Sequence, residues 1–352
     1  MKRLTIWLAA LLAALAAGGC STLGYYAQAV GGHLDIVHRA RPVSAWLADP
    51  ATPPALRARL ELAERIRNFA VSELKEPDNA SYRSYADLQR RAAVWNVVAA
   101  PELSLTLKTW CFPVMGCVGY RGYYRQDGAD ALAATLKAEG WETSVYGVPA
   151  YSTLGWTNWL GGDPLLDTFI AWPEGELARL IFHELAHQEA YADDDTTFNE
   201  SFAVAVSRIG SRRWLREHGS AQARAEDAAV SLRQHDFRAL TARTRAQLQA
   251  VYDSRLPDAD KRARKAEIMA AMRADYAALK AGRWGGFAGY DAWFAHANNA
   301  SLGVQAAYNQ LVPEFERLFE HEGEDFSRFY AEVRRLAALP KAERRATLAA
   351  IR

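Results

Sequence analysis

The residues of this chain whose types and spacing can do chemistry are two histidines four positions apart, with a glutamate beside the first: His183-Glu184-x-x-His187 in "LIFHELAHQ". On a helix a spacing of four puts both imidazoles on one face, where they can reach one ion, and Glu184 projects beside them where a metal-bound water would sit. Zinc is the default metal for two histidines plus a carboxylate with a position left open for water. Such a site hydrolyses bonds: the ion polarises the scissile carbonyl and acidifies its water, and Glu184 takes the proton and delivers it to the leaving amine. From residue frequencies, a chain of this length contains the pattern by chance with a probability on the order of one in a hundred. Leu180, Ile181 and Leu185 also set it in an apolar helix, where unpaired imidazoles and a carboxylate are costly to bury without an ion.

A third ligand is needed, and the candidate is Glu200 in "TTFNESFA". A competing reading uses the same residue, because Thr197-x-x-Glu200 fits a capping box that starts a helix without any metal. The two differ in geometry: a capping glutamate turns back to its own N-cap amide, whereas a ligand points across to the histidine helix. Asp193, Asp194 and Asp195 lie in the connecting turn and can orient a histidine, although acidic runs between helices are ordinarily solvated. The oxyanion of the reaction also needs a donor besides zinc. Downstream, "HANNASLGVQAAYNQLVPEF" concentrates His296, Asn298, Asn299 and Tyr308; Tyr308 is the first candidate donor and His296 the second, and both residue types also serve in packing and capping.

The elements that must position these groups follow from pattern and punctuation. Pro173 in "WPEGE" suits a first helical position, and Glu174 and Glu176 favour the positive end of the helix dipole, so the zinc-motif helix starts there. Before it, from about Val94, come short β-rich runs: "VWNVVAA", "LSLTLKT", "CVGYRGYY" and "WETSVYGV". Between the last two, Asp127 and Gly140 bracket an apolar-striped helix as N-cap and C-cap. The pattern predicts a strand-helix-strand unit with its strands parallel in one small sheet, and the preceding two runs joined as a hairpin. Residues 25–88 read as mostly helical, broken at "ADPATPPA" and "KEPDNAS"; after about residue 171 the chain is helical, with breaks near Gly219, Leu256-Pro257, Gly282 to Tyr290 and Pro313.

The first twenty residues bear on compartment. Met1-Lys2-Arg3, an uncharged apolar run from Leu4 to Ala17, and Ala17-Gly18-Gly19-Cys20 read as a secretion signal ending in a lipobox, cleaved so that the mature chain begins at an acylated Cys20. Plain cleavage and release is the alternative. Ser21 after the cysteine matches the pattern sent to the outer membrane. Cys111 and Cys117 flank a loop with Pro113 and Gly116, and in an oxidising periplasm they are expected to pair as a disulfide. A cysteine metal site would need further cysteine or histidine nearby, and the sequence offers none. With 42 basic and 41 acidic residues in 352, the chain has no global field for nucleic acid, and the cluster from Arg262 to Lys265 reads as a solvated helix face.

Five blocks in order, "WCFPVMGCVGYRGYY", "GVPAYSTLGW", "LIFHELAHQ", "DTTFNESFAVAV" and "NNASLGVQAAYNQLVPEF", resemble the bacterial predicted-aminopeptidase family of zinc-dependent proteobacterial lipoproteins. More broadly the pattern is similar to the glutamate zincins, whose third ligand is a glutamate from the next helix and whose edge strand above the zinc helix binds the substrate backbone. "VYGVPAYSTLG" would be that strand. The gap from His187 to Glu200 is shorter than in thermolysin-like enzymes, and no glycine-rich exopeptidase signature is present.

The resulting expectation is an α+β, predominantly helical, zincin-like metalloprotease with a small mixed-sheet lobe over a helical lobe. Residues 1–19 form the signal and 20–352 one unit: helical over about 20–90, sheet-containing over 91–170 and helical with the zinc motif over 171–352. It would act on peptides from the periplasmic side of the envelope, held by its N-terminal lipid. Rival readings are an endopeptidase or cell-wall peptide hydrolase with the same site, or a non-catalytic lipoprotein whose zinc, closed by Asp194 or His218, only staples two helices.

Overall fold

The computed structural model describes residues 24–112, 116–150, 161–305 and 311–351. Cys20, Tyr308 and part of the expected edge strand lie outside these residues. The described chain is mostly helical with small sheets, and none of its helices is long and apolar enough to cross a membrane.

Helix α1 (24–39) leads into β1 (Arg41–Pro42), α2 (Val43–Ala48) and α3 (Pro54–Ser72). Pro54 starts α3 because its fixed φ suits the first turn, and Leu60, Ala63, Ile66 and Ala70 recur at helical spacing to bury one face. Strand β2 (Ser84–Ala86) pairs antiparallel with β1 and parallel with β8 (Leu165–Leu166). These short strands within and after the helical N-terminal region were not foreseen.

The second sheet has β3 (Val94–Ala100) at its centre, flanked by β6 (Arg121–Tyr123) and β7 (Glu142–Val148), both antiparallel to it. Helix α4 (Gln126–Ala138) joins β6 to β7 and covers the sheet through Ala129, Ala133 and Leu136. The strand-helix-strand unit is therefore present with its strands parallel, but β3 lies between them. Arg125 rather than Asp127 holds the N-cap position, while Gly140 follows the helix at φ +89°, a left-handed conformation suited to glycine.

The expected hairpin between "VWNVVAA" and "LSLTLKT" does not form. The second run is irregular and lies against α10 (Asn299–Val304), so closely that a Cβ on Gly303 would come within 2.8 Å of Leu105 O and of Leu107. The hairpin that does form pairs β4 (Trp110–Phe112) with β5 (Gly116–Val118), where Cys111 and Cys117 stand opposite each other and are joined as a disulfide.

Helices α5 (Glu174–Ala186) and α6 (Thr196–Glu217) pack along each other at the centre of the main core. Gly210 permits the close approach, since a Cβ there would meet Phe182 at 2.9 Å and Leu74 at 2.6 Å. The main core also takes Phe315, Phe329 and Leu348 from α11 (Val312–His321), α12 (Phe326–Ala337) and α13 (Lys341–Ala349). A separate core joins α7 (Ala221–Tyr252), α8 (Asp258–Ala281) and α9 (Asp291–His296) through Phe237, Met272, Tyr276 and Phe294. The helix breaks fall near Gly219, Pro257, the 282–290 loop and Pro313, the last of which lies in the first turn of α11 just after the break. On α8, Arg262 pairs with Glu102, Arg264 with Glu267 and Lys265 with Glu142.

Candidate metal centre

Pro173 is the N-cap of α5, one position earlier than expected, and Glu174 and Glu176 occupy the first turn. Leu177, Ala178, Ile181, Phe182 and Leu185 bury the inner face, which leaves His183 and Glu184 half-buried along the flank. His187 is the C-cap and is buried. The two imidazole rings lie perpendicular, with centroids 4.8 Å apart, and their Nε2 atoms approach to 3.3 Å. Glu200 on α6 places Oε2 3.4 Å from His183 Nε2 and Oε1 3.9 Å from His187 Nε2.

These separations test whether the residues fit an ion. Two nitrogens each about 2.0–2.1 Å from a tetrahedral zinc are about 3.3–3.4 Å from each other. The histidine pair meets that spacing without rearrangement; Glu200 Oε2 meets it toward His183 at 3.4 Å, while Oε1 stands at 3.9 Å from His187. Among the described residues, His183, His187 and Glu200 form the group of potential ligands whose donor atoms all lie within 4.8 Å of one another.

Glu200 faces the histidines because another residue caps α6. Asp195 is the N-cap, its carboxylate accepting from Phe198 N at 3.1 Å, so the capping-box reading of Thr197 and Glu200 is overturned. Asn199, buried next to Glu200, accepts from Ala192 N and donates to Ala192 O, both at 2.8 Å, which fastens the connecting turn to α6. Two acids of that turn are tied to α13, Asp195 to Arg344 and Arg345, and Asp194 to Arg344 at 2.9 Å, while Asp193 is exposed. Neither therefore orients a histidine. His218 packs at a tilt against Trp214 and edge-on to Phe69, and stands outside the cluster. The two residues that would have closed a purely structural site are thus engaged elsewhere.

Charge is shared within the cluster. Burial opposes protonation of His183, but the hydrogen bond to Glu200 and the charges of Glu184 and Glu200 outweigh it and raise its pKa. Burial and the neighbouring His183 bring His187 down to about 4, so it is a neutral imidazole at neutral pH. For Glu200 burial favours the acid, yet His183 and His187 hold its pKa below the ordinary value. The cluster thus offers one neutral imidazole and one anionic carboxylate without prior titration.

Three tyrosines that sequence reasoning missed share this field. Tyr120 and Tyr146 come from the sheet region and pack around Val98, Ala100 and Ala300; Tyr191 comes from the turn after α5. Burial, followed among other causes by the charge of Glu200, raises the pKa of all three, so their phenols stay protonated. Tyr146 sits on β7, an outer strand of its sheet among the described residues, opposite Asn96 of β3, and its hydroxyl accepts from Asn96 Nδ2 at 3.4 Å, leaving its own proton to donate. The available signal for Tyr191 was its place four residues after His187; for Tyr120 and Tyr146 only the sheet register brings them in.

The downstream candidates fall otherwise. His296 is exposed at the end of α9, which packs on α8. Asn298 caps α10 in a capping box with Ser301. Asn299 is buried, donating to Pro101 O and Glu102 O and accepting from Tyr252 Oη. These asparagines are structural.

Fold and site together define a helical α+β protein carrying a two-histidine, one-carboxylate cluster between two adjoining helices. The profile of the family described as "Putative aminopeptidase" matches residues 24–348, and the chain belongs to that family. The family name suggests a peptidase, a hydrolase acting on peptides. No curated protein and no solved structure matches the chain.

Proposed function

We propose that this protein is a zinc metallopeptidase, an aminopeptidase by its family, held by a lipid on Cys20 at the periplasmic face of the bacterial envelope. The observation that carries the zinc reading is the 3.3 Å separation of the His183 and His187 Nε2 atoms, with the Glu200 carboxylate closing the third side. Bound there, zinc would supply polarisation of the scissile carbonyl and an acidified water. His183, His187 and Glu200 would hold and orient it, and Glu184, one residue beyond His183 on the same helix, would serve as the base that accepts the water proton and returns it to the leaving amine. Tyr146 would donate a hydrogen bond from its phenol to the developing oxyanion, a role for which its Asn96 partner fixes the hydroxyl. The zincin-like arrangement, with β7 as the substrate-binding edge strand, belongs to the same reading.

His183 and Glu200 each keep 20% of their side-chain surface exposed, which leaves access for a substrate on the open side of the cluster. That favours catalysis over a helix-stapling role. The deciding experiment incubates the chain with a mixed peptide library, with and without a chelator, and reads products by mass spectrometry. Chelator-sensitive loss of single N-terminal residues is expected. Internal cuts would assign an endopeptidase, and an untouched library from zinc-loaded protein would sink the enzyme reading.

A further inference from the structure

Helix α1 is fixed in rotation by its inner face. Tyr25 stacks on Phe112 with centroids 5.3 Å apart, and the Arg121 guanidinium lies over its ring. Gln28 donates to Gly122 O and accepts from Tyr124 N, at 3.3 and 3.1 Å. Gly32 lies so close to the Tyr124 ring that a Cβ would stand 2.0 Å from its Cγ, and Ile36 is buried. Positions 25, 28, 32 and 36 therefore form one docked stripe at helical period.

The opposite stripe, Ala27, Val30, Gly31 and Leu34, is exposed, and Gly31 has nothing within 4 Å of where its Cβ would be. Val30 and Leu34, at 59% and 53%, are the most exposed large hydrophobic residues described. No Asp, Glu, Lys or Arg occurs between Arg3 and Asp35, and Asp35 is paired with Arg39 at 2.8 Å. The docked face prevents the helix from turning this stripe inward.

We propose that α1 lies along the membrane surface with Ala27, Val30, Gly31 and Leu34 in contact with lipid. The occupant follows from the chain ahead of the helix: Cys20 stands four residues before Gly24, and four residues span at most about 14 Å. An acylated Cys20 therefore holds the start of α1 at the headgroup layer, where an uncharged helix face gains by entering the interface. This contact rests on the anchoring reading of Cys20, and it gives the chain a fixed pose, with β6 and the β4–β5 hairpin on the membrane side.

The test uses the full chain with its own leader, reconstituted into phosphatidylethanolamine–phosphatidylglycerol vesicles. Val30→Cys and Leu34→Cys carry an environment-sensitive thiol dye, and Glu61→Cys, exposed on α3, is the solvent control. Nitroxide-labelled lipid is expected to quench positions 30 and 34 at least threefold more than position 61. Equal quenching at all three overturns the proposal. Excimer emission from a pyrene at position 30, without lipid quenching, gives the face to a second copy and also overturns it. Intact mass on the same samples reads the acyl group on Cys20 independently, so a failure of anchoring is distinguished from a failure of the helix contact.

Discussion

His183, His187 and Glu200 bring their polar atoms together on one open side, whereas Glu76, Arg67, Tyr82 and Tyr330 bury polar atoms that find no hydrogen bond, although Arg67 Nε and Nη2 donate to Ser81 O and Pro77 O. In the second group every residue is at most 2% exposed, and both Glu76 carboxylate oxygens, Arg67 Nη1 and the two phenolic oxygens lack a hydrogen-bond partner among the described residues. Both groups flank α5, and Tyr82 feels the charge of Glu184 as well as that of Glu76. Donors brought together on an open side suit a ligand; groups sealed from solvent shape the fold and its response to pH. Burial pushes the Glu76 carboxyl well above the usual range, despite Arg67, so it favours the neutral acid.

The largest expected effect breaks chemistry and leaves the fold. Glu184→Gln should lower kcat about 10³-fold while zinc content, measured by mass spectrometry of the metal, stays at one per chain. A variant that cleaves as well as its parent would remove Glu184 from the mechanism. Next, Tyr146→Phe should lower kcat about 10²-fold with KM little changed; a loss confined to KM would make Tyr146 a substrate-binding residue instead. Asn199→Ala removes both clamps on Ala192 and should cost about 1–3 kcal/mol in denaturant unfolding, with weaker zinc binding because Glu200 loses its fixed approach.

The smallest effect belongs to the sealed group and runs with pH. A carboxyl whose native pKa is raised binds its proton more tightly folded than unfolded, so its contribution is retained below the ordinary value near 4.5 and is lost as pH rises toward the raised native value. Glu76→Gln should therefore unfold at a higher denaturant midpoint than the parent at pH 8, with the difference shrinking at pH 5, and with peptidase rates unchanged. Loss of activity in zinc-loaded Glu76→Gln would erase the distinction between the two groups.

How legible these groups were follows from the range of the contacts that make them. The histidine spacing is a local, helical fact, and it was readable. Glu200 was readable as a candidate, but its direction depended on which residue capped α6, and Asp195 took that place because its carboxylate reaches Phe198 N. Tyr146 and Tyr120 depend on the β3–β7 register and on packing around Ala300, pairings across long sequence separations that no local pattern encodes. The β-rich "LSLTLKT" misled because its alternation serves two cores, Leu105 with the α7–α8 helices and Leu107 with β3, rather than a partner strand. The Glu76 group left no sequence signal, since a glutamate in a turn after a helix reads as solvated.

Asp195 caps the helix that presents Glu200 and is itself gripped by Arg344 and Arg345, residues synthesised about 150 positions later. A nascent chain that already carries both histidines and the glutamate still lacks the clamp on the turn between them. The order of synthesis thus puts the last hold on this turn behind emergence of α13, and a chain ended before Arg344 is expected to present Glu200 to the two histidines less firmly.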